Sequence, residues 1–205
     1  VAAPSCSLTS TTAGAKTLTA TYAGDANFTG STSATAPHTV NAAATTTTIG
    51  TDLPDPSTVG QAYTVTWAVA VTAPGAGTPT GNVTVSDGTG ATCAAAVAAG
   101  SCELTSTTAG AKTLTATYAG DANFTGSTSA GATHTVNAAS TTPAIASDTP
   151  DPSVVGQAYT VSFPITSAGG TPTGNVTVSD GAASCIGTVA APSCSLTSTT
   201  AGAKT

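Results

Sequence analysis

Residues 62–71 set Tyr63, Val65, Trp67, Val69 and Val71 against Thr64, Thr66, Ala68 and Ala70, a period of two without a break. Successive side chains of a strand point to opposite faces, so this run predicts a central β-strand with one face in a core and the other in solvent. Shorter runs repeat the pattern. Residues 45–49 predict a first strand, 82–86 a strand with Val83 and Val85 inward, and 113–118 a strand with Leu114, Ala116 and Tyr118 inward. Leu104 starts a further strand, and 134–136 begin the last. Between them lie turn-forming stretches: DLPDPSTVGQ with Pro54, Pro56 and Gly60, then PGAGTPTG, DGTG, AGAK and GDANFTGS. No segment carries a helical period. About seven short strands with turns at regular spacing predict an all-β sandwich.

The pattern also repeats on a larger scale. STTAGAKTLTATYAGDANFTGSTSA at 10–34 returns at 106–130, and DLPDPSTVGQAYTV at 52–65 returns as DTPDPSVVGQAYTV at 148–161, both displaced by 96 residues. TPTGNVTVSDG at 78–88 returns at 171–181, displaced by 93, and the cysteine segment is displaced by 92. Such copies mark an array of independently folding units. Residues 44–138 form one complete repeat, 1–43 the C-terminal part of a preceding one and 139–205 the N-terminal part of the next. The first seventeen residues are identical to 189–205, giving a two-domain period of 188 residues.

Two explanations fit these ends. The chain is a window on a longer repetitive protein, or a subunit whose half-domain is completed by strand donation from the next copy. Donation leaves 1–17 and 189–205 competing for one slot, which favours the window. Val136 runs through Asn137, Ala138 and Ala139 into the next first strand with no flexible Gly/Ser linker. Neighbouring repeats are therefore expected to stack stiffly end to end.

Charge narrows the function. Only 6% of residues are charged, with three Lys, nine acidic residues and a net charge of −6. An average globular protein carries about a quarter. Lys16, Lys112 and Lys204 are copies of one position, so no basic cluster exists to neutralise phosphates, and nucleic acid is not expected as a partner. No apolar run approaches the roughly 18 residues of a membrane-spanning helix, and the N-terminus does not read as a signal peptide. Thr is the main polar residue, 47 of 205, interleaved with Val, Ala and Ser as strands require. That alternation argues against disorder.

Cys93 and Cys102 are nine apart, as are Cys185 and Cys194, while Cys6 copies Cys194 and has its partner outside the chain. The spacing reads as one disulfide per repeat pinning a local hairpin or loop, and a closure of about ten residues stabilises by about 2.7 kcal/mol. Two cysteines fall short of the four ligands of a structural zinc site. Disulfides place the protein in an oxidising, extracellular compartment.

Other polar positions offer less. Asp121 and Asn123, with copies Asp25 and Asn27, are candidate calcium ligands, since alternating oxygen donors suit a hard cation. Asp and Asn also close turns on their own backbone, and no third carboxylate is near in sequence, so the turn reading is preferred and no metal is expected. Asp52 and Asp55 read as turn residues for the same reason. Asn27, Asn82, Asn123 and Asn175 each open an Asn-x-Thr sequon, a possible glycan acceptor. Lys112 could form an isopeptide cross-link, but a place in the AGAK turn rather than on an inward face argues against it. His38 and His134 are one repeated position, and no His-Asp-Ser or Cys-His set is evident, so the chain is not read as an enzyme and no cofactor is expected.

At GQAYTV, TPTGNVTVSDG and above all ATYAGDANFTGSTS, the sequence resembles the bacterial immunoglobulin-like repeat domains of large surface adhesins and filamentous surface proteins. The similarity runs along the whole chain in register with the repeats. It implies tandem immunoglobulin-like seven-stranded β-sandwiches arranged end to end at the cell surface, as a stalk or spacer. Unlike those of antibody domains, the cysteines are close in sequence and are not expected to bridge the two sheets. A structural fibre, with copies of itself or adjacent repeats as partners, is the leading expectation. The alternative is an adhesin-type module that binds a surface glycan or receptor through many weak sites.

Overall fold

A computed structural model describes residues 5–204, so the outermost residues of the two expected part-repeats, 1–4 and 205, lie outside the description. The chain divides into two compact units. One holds the residues up to Asp55 with Ala62–Leu104 and Ala111–His134; the other holds Pro56–Gln61, Thr105–Gly110 and the chain from Thr135 on.

The complete repeat has nine strands rather than about seven. They are β1 (Thr45–Leu53), β2 (Ser57–Thr58), β3 (Ala62–Val71), β4 (Asn82–Ser86), β5 (Thr92–Ala96), β6 (Ser101–Thr105), β7 (Gly110–Gly120), β8 (Thr125–Thr128) and β9 (Ala132–Asn137). One sheet has the order β6-β3-β1, and the other β2-β9-β7-β4-β5 with β8 paired to β7. Two antiparallel-rich sheets built this way are an immunoglobulin-like sandwich. β3 and β4 have the predicted bounds. Strands with no predicted counterpart are the two-residue β2, inside the turn DLPDPSTVGQ, β5 around Cys93, and β8, which begins inside GDANFTGS. β2 runs parallel to β9, with Ser57 beside Val136 and Thr58 beside Asn137.

The alternation read from the sequence fills the core of the first unit. Tyr63, Val65 and Trp67 of β3 pack with Val83 and Val85 of β4, Leu104 of β6, Leu114, Ala116 and Tyr118 of β7, and Phe124 before β8. Burying such a side chain contributes about 1.5–3 kcal/mol. Thr47 points into the interior from β1, and its hydroxyl is satisfied by Ser127 Oγ at 2.7 Å.

β1 runs four residues beyond its predicted end because it contains a bulge. Ile49 pairs with Trp67 but Asp52, not Thr51, pairs with Val65. One extra residue reverses the parity of everything after it. Thr66 Oγ1 holds the bulge together, accepting from Thr51 N at 2.7 Å and donating to Thr51 O at 3.2 Å.

Two expectations are corrected. Cys93 lies on β5 in the larger sheet and Cys102 on β6 in the smaller one, so their disulfide joins the two sheets instead of pinning a local hairpin. The chain crosses between sheets through the single turn of 3-10 helix at Val97–Ala99, closed by Gly100 in the left-handed conformation (φ 69°). Cys185 and Cys194 follow suit in the second unit, one on Ser184–Thr188 and the other on Ser193–Thr197, strands of separate sheets. Lys112 is not in a turn: β7 starts at Gly110, and the inward parity of Leu114, Ala116 and Tyr118 extends back to Lys112, which is buried.

Candidate functional site

The bulge in β1 decides where Asp52 points. Without it, Thr51 and Leu53 would continue the inward face of Thr47 and Ile49. With it, Thr51 and Leu53 are exposed and Asp52 turns inward. There its Oδ2 lies 2.8 Å from Nδ1 of His134, a residue 82 positions away on β9. Asp55, after the turn at Pro54, brings Oδ1 to 3.5 Å from the same nitrogen. Asp52, Asp55 and His134 thus offer three ligand atoms all within 4.8 Å of one another.

The cluster is graded from inside to outside. The side chain of His134 is 0% exposed, that of Asp52 18% and that of Asp55 36%. Tyr63 of β3 stacks on the imidazole, with ring centroids 3.9 Å apart and planes inclined by 13°. This stacking and the Asp52 bond fix both the position and the plane of the ring. No His-Asp pairing was evident in the sequence; Asp55 lies in the turn as read, whereas Asp52 sits on β1 and not in the turn. Asp148 and Asp151, their copies, line a groove of about 660 Å³ in the second unit together with Tyr159, Ser198 and Lys204. His38, the copy of His134, is exposed on the strand Ala36–Val40.

The GDANF loop is organised by one carboxylate. Asp121 Oδ1 accepts from Asn123 N at 2.8 Å and Phe124 N at 3.0 Å, and Oδ2 accepts from Thr80 N at 2.8 Å and Thr80 Oγ1 at 2.7 Å. The side chain of Asn123 accepts from Ala13 N at 2.9 Å. The oxygens of both candidate calcium ligands are therefore directed at protein donors. Asp25 repeats the device, with Oδ1 accepting from Asn27 and Phe28 and Oδ2 from the Tyr22 hydroxyl.

The Thr80 hydroxyl, followed by the amides of Asn123 and Thr80, holds the Asp121 carboxyl well below the usual carboxylate range. A carboxylate depressed in the folded state stabilises fully above its unfolded pKa, about 3.9, and its contribution is lost as pH falls towards the folded value. Asp121→Asn is accordingly expected to be less stable than the native chain at pH 7, with the deficit shrinking as pH drops below about 4. Denaturant unfolding at pH 7, 5 and 3 checks this, and a deficit that does not change with pH would refute it.

The remaining candidates are placed as follows. Cys6 is a free, exposed thiol. Asn27, Asn82 and Asn175 are exposed, whereas Asn123 is half-buried. Lys16 and Lys204 each reach back four residues to a Thr hydroxyl, at 2.6 Å in both cases. No helix among the described residues is long and apolar enough to cross a membrane.

Residues 43–137, which hold the sandwich just described, match the family model of the bacterial Ig-like domain (group 3). These residues are a bacterial Ig-like domain. No curated protein matches the chain. Bacterial Ig-like domains are generally non-enzymatic, surface or extracellular structural modules. Two disulfides in the chain agree with that compartment. Sequence reasoning missed the Asp52–Asp55–His134 cluster. The one signal available was that all three residues recur at the 96-residue displacement, as Asp148, Asp151 and His38.

Proposed function

We infer that the bacterial Ig-like domain at 43–137 is one element of an extracellular fibre or stalk in which near-identical sandwiches follow one another end to end. The observation that carries this is the repetition itself: 25 residues recur without change between 10–34 and 106–130. A catalytic site is needed once, whereas length and stiffness come from copying a whole module.

Contacts across the repeat borders support a stiff join. In the first unit, the turn at Ala13 bonds to Asn123. In the second, Gly60 approaches Gly169 so closely that a Cβ on Gly60 would lie 2.9 Å from Gly169 Cα. The adhesive alternative has less behind it, because Tyr63, Trp67, Tyr118 and Phe124, the aromatic residues of the complete repeat, are all buried.

Small-angle scattering on proteins of one, two and four repeats tests the fibre reading. The maximum dimension should grow in proportion to the number of repeats. Growth only as the square root of that number, the behaviour of flexibly linked beads, would refute it. The intact mass of the native protein separates a covalent array, many 188-residue periods long, from short subunits joined by strand donation.

A further inference from the structure

We propose that Asp52, Asp55 and His134 form a binding site for a divalent transition cation of the zinc class, one in each complete repeat. The site goes beyond the fibre reading and does not depend on it, since every ligand comes from one sandwich.

Geometry carries the proposal. An ion about 2.1 Å from each donor, the usual distance for imidazole nitrogen and carboxylate oxygen, fits the two separations from His134 Nδ1 and requires the two carboxylate oxygens to lie within about 4.2 Å of each other, inside the 4.8 Å that bounds the cluster. The 2.8 Å between His134 Nδ1 and Asp52 Oδ2 then corresponds to an angle of about 85° at the ion, and the 3.5 Å to Asp55 Oδ1 to about 113°. The wider angle is near tetrahedral and the narrower near the 90° of a five-coordinate site, a geometry zinc also adopts. Three protein ligands leave a further position for water, as in open zinc sites.

Chemistry narrows the ion. Calcium prefers six to eight oxygen ligands and magnesium an octahedron of oxygens. A set of one imidazole and two carboxylates suits zinc and its neighbours. The exposure gradient supplies an entry path, because Asp55 stands at the surface and can capture the ion before the buried imidazole does. Tyr63 holds the imidazole plane in advance, so little ordering remains for the ion to impose.

Binding displaces the proton held between Nδ1 and Asp52. If the ring is neutral and protonated at Nδ1, that proton moves to Nε2; if the ring is charged, one proton leaves for solvent. Nδ1 then donates its lone pair to the ion.

The test uses the full chain with both disulfides intact and Cys6→Ser, which removes the exposed thiol as a competing ligand. Zinc alone is titrated against a chromophoric chelator, and the histidine side chains are followed by nitrogen NMR. One zinc ion per chain should bind, with the ring nitrogens of His134 shifted and those of His38 unchanged. Asp55→Asn leaves the His134–Asp52 pair in place and should weaken binding by more than about tenfold; His134→Asn should abolish it. The raised thermal midpoint that saturating zinc gives the Cys6→Ser chain should shrink in Asp55→Asn and disappear in His134→Asn. Absence of uptake, uptake undiminished by Asp55→Asn, or uptake that leaves His134 unshifted would overturn the proposal and make the cluster a structural ion pair only. Calcium binding as tightly as zinc would overturn the assignment of the ion.

Discussion

Tyr63→Ala is expected to cost the complete repeat about 3–5 kcal/mol, the range for removing a large buried aromatic ring. Tyr63 is 1% exposed and belongs to the one core cluster that both sheets share. Its loss leaves a cavity beside Val65 and Trp67 and removes the ring against which His134 stacks. A domain of this size is stable by about 5–15 kcal/mol in total, so the variant should be marginally folded at best. Tyr63→Phe keeps the ring, the packing and the stacking, and should retain most of that stability. Trp67 is the single tryptophan of the chain and is buried in the same core, so its fluorescence reports the unfolding of this repeat alone. Urea denaturation followed at Trp67 gives the difference directly. A cost below about 1.5 kcal/mol would mean that the core closes over the gap, and that the stacked ring is not what positions His134.

The fold was legible where a side chain's direction follows from local periodicity. β3 and β4 have the predicted bounds, and Tyr63, Val65, Trp67, Val83, Val85, Leu114, Ala116 and Tyr118 are all inside as their alternation requires. The pattern fails where one residue is inserted. Gly50 and Thr51 look like ordinary strand residues, yet the bulge there turns Asp52 from a solvent-facing position into the partner of a buried histidine. No local window could show this, because His134 is 82 residues away and β9 reaches Asp52 only through the sheet order. Lys112 was misplaced for a related reason. Charge and a neighbouring Gly suggested a turn, whereas the inward parity of β7 continues through it. The cysteines were paired correctly from their spacing, but spacing says nothing about sheet membership. That was set by the 3-10 turn at Val97–Ala99, too short to leave a periodic signal.

Removing the Cys93–Cys102 bond is the change expected to have the next largest effect, about 2.7 kcal/mol lost from the complete repeat. The estimate comes from the entropy that a closed loop of ten residues denies the unfolded chain, and it takes the native sheets as unaltered. Location adds a second consequence. β5 and β6 are edge strands, each at the end of its own sheet, and the disulfide is a second covalent tie between those ends, beside the chain through Val97–Ala99. Without it the two edges keep their hydrogen bonds to β4 and β3 and the core packing of Ala95 and Leu104 but lose their cross-link, so amide exchange in Thr92–Ala96 and Ser101–Thr105 should quicken more than exchange in β3 or β7. Comparing the oxidised and reduced native chain, and both with the Cys93→Ala/Cys102→Ala double variant, separates the cross-link from the loss of the sulfur atoms. The Cys185→Ala/Cys194→Ala double variant serves as the control. It removes the same bond from the second unit and should leave the Trp67 transition in place. A Trp67 transition that moves by less than about 0.5 kcal/mol on reduction would show that the unfolded repeat is already restrained at this crossover. Faster exchange confined to the two edge strands would show instead that the bond acts in the folded state, holding the edges of the two sheets together.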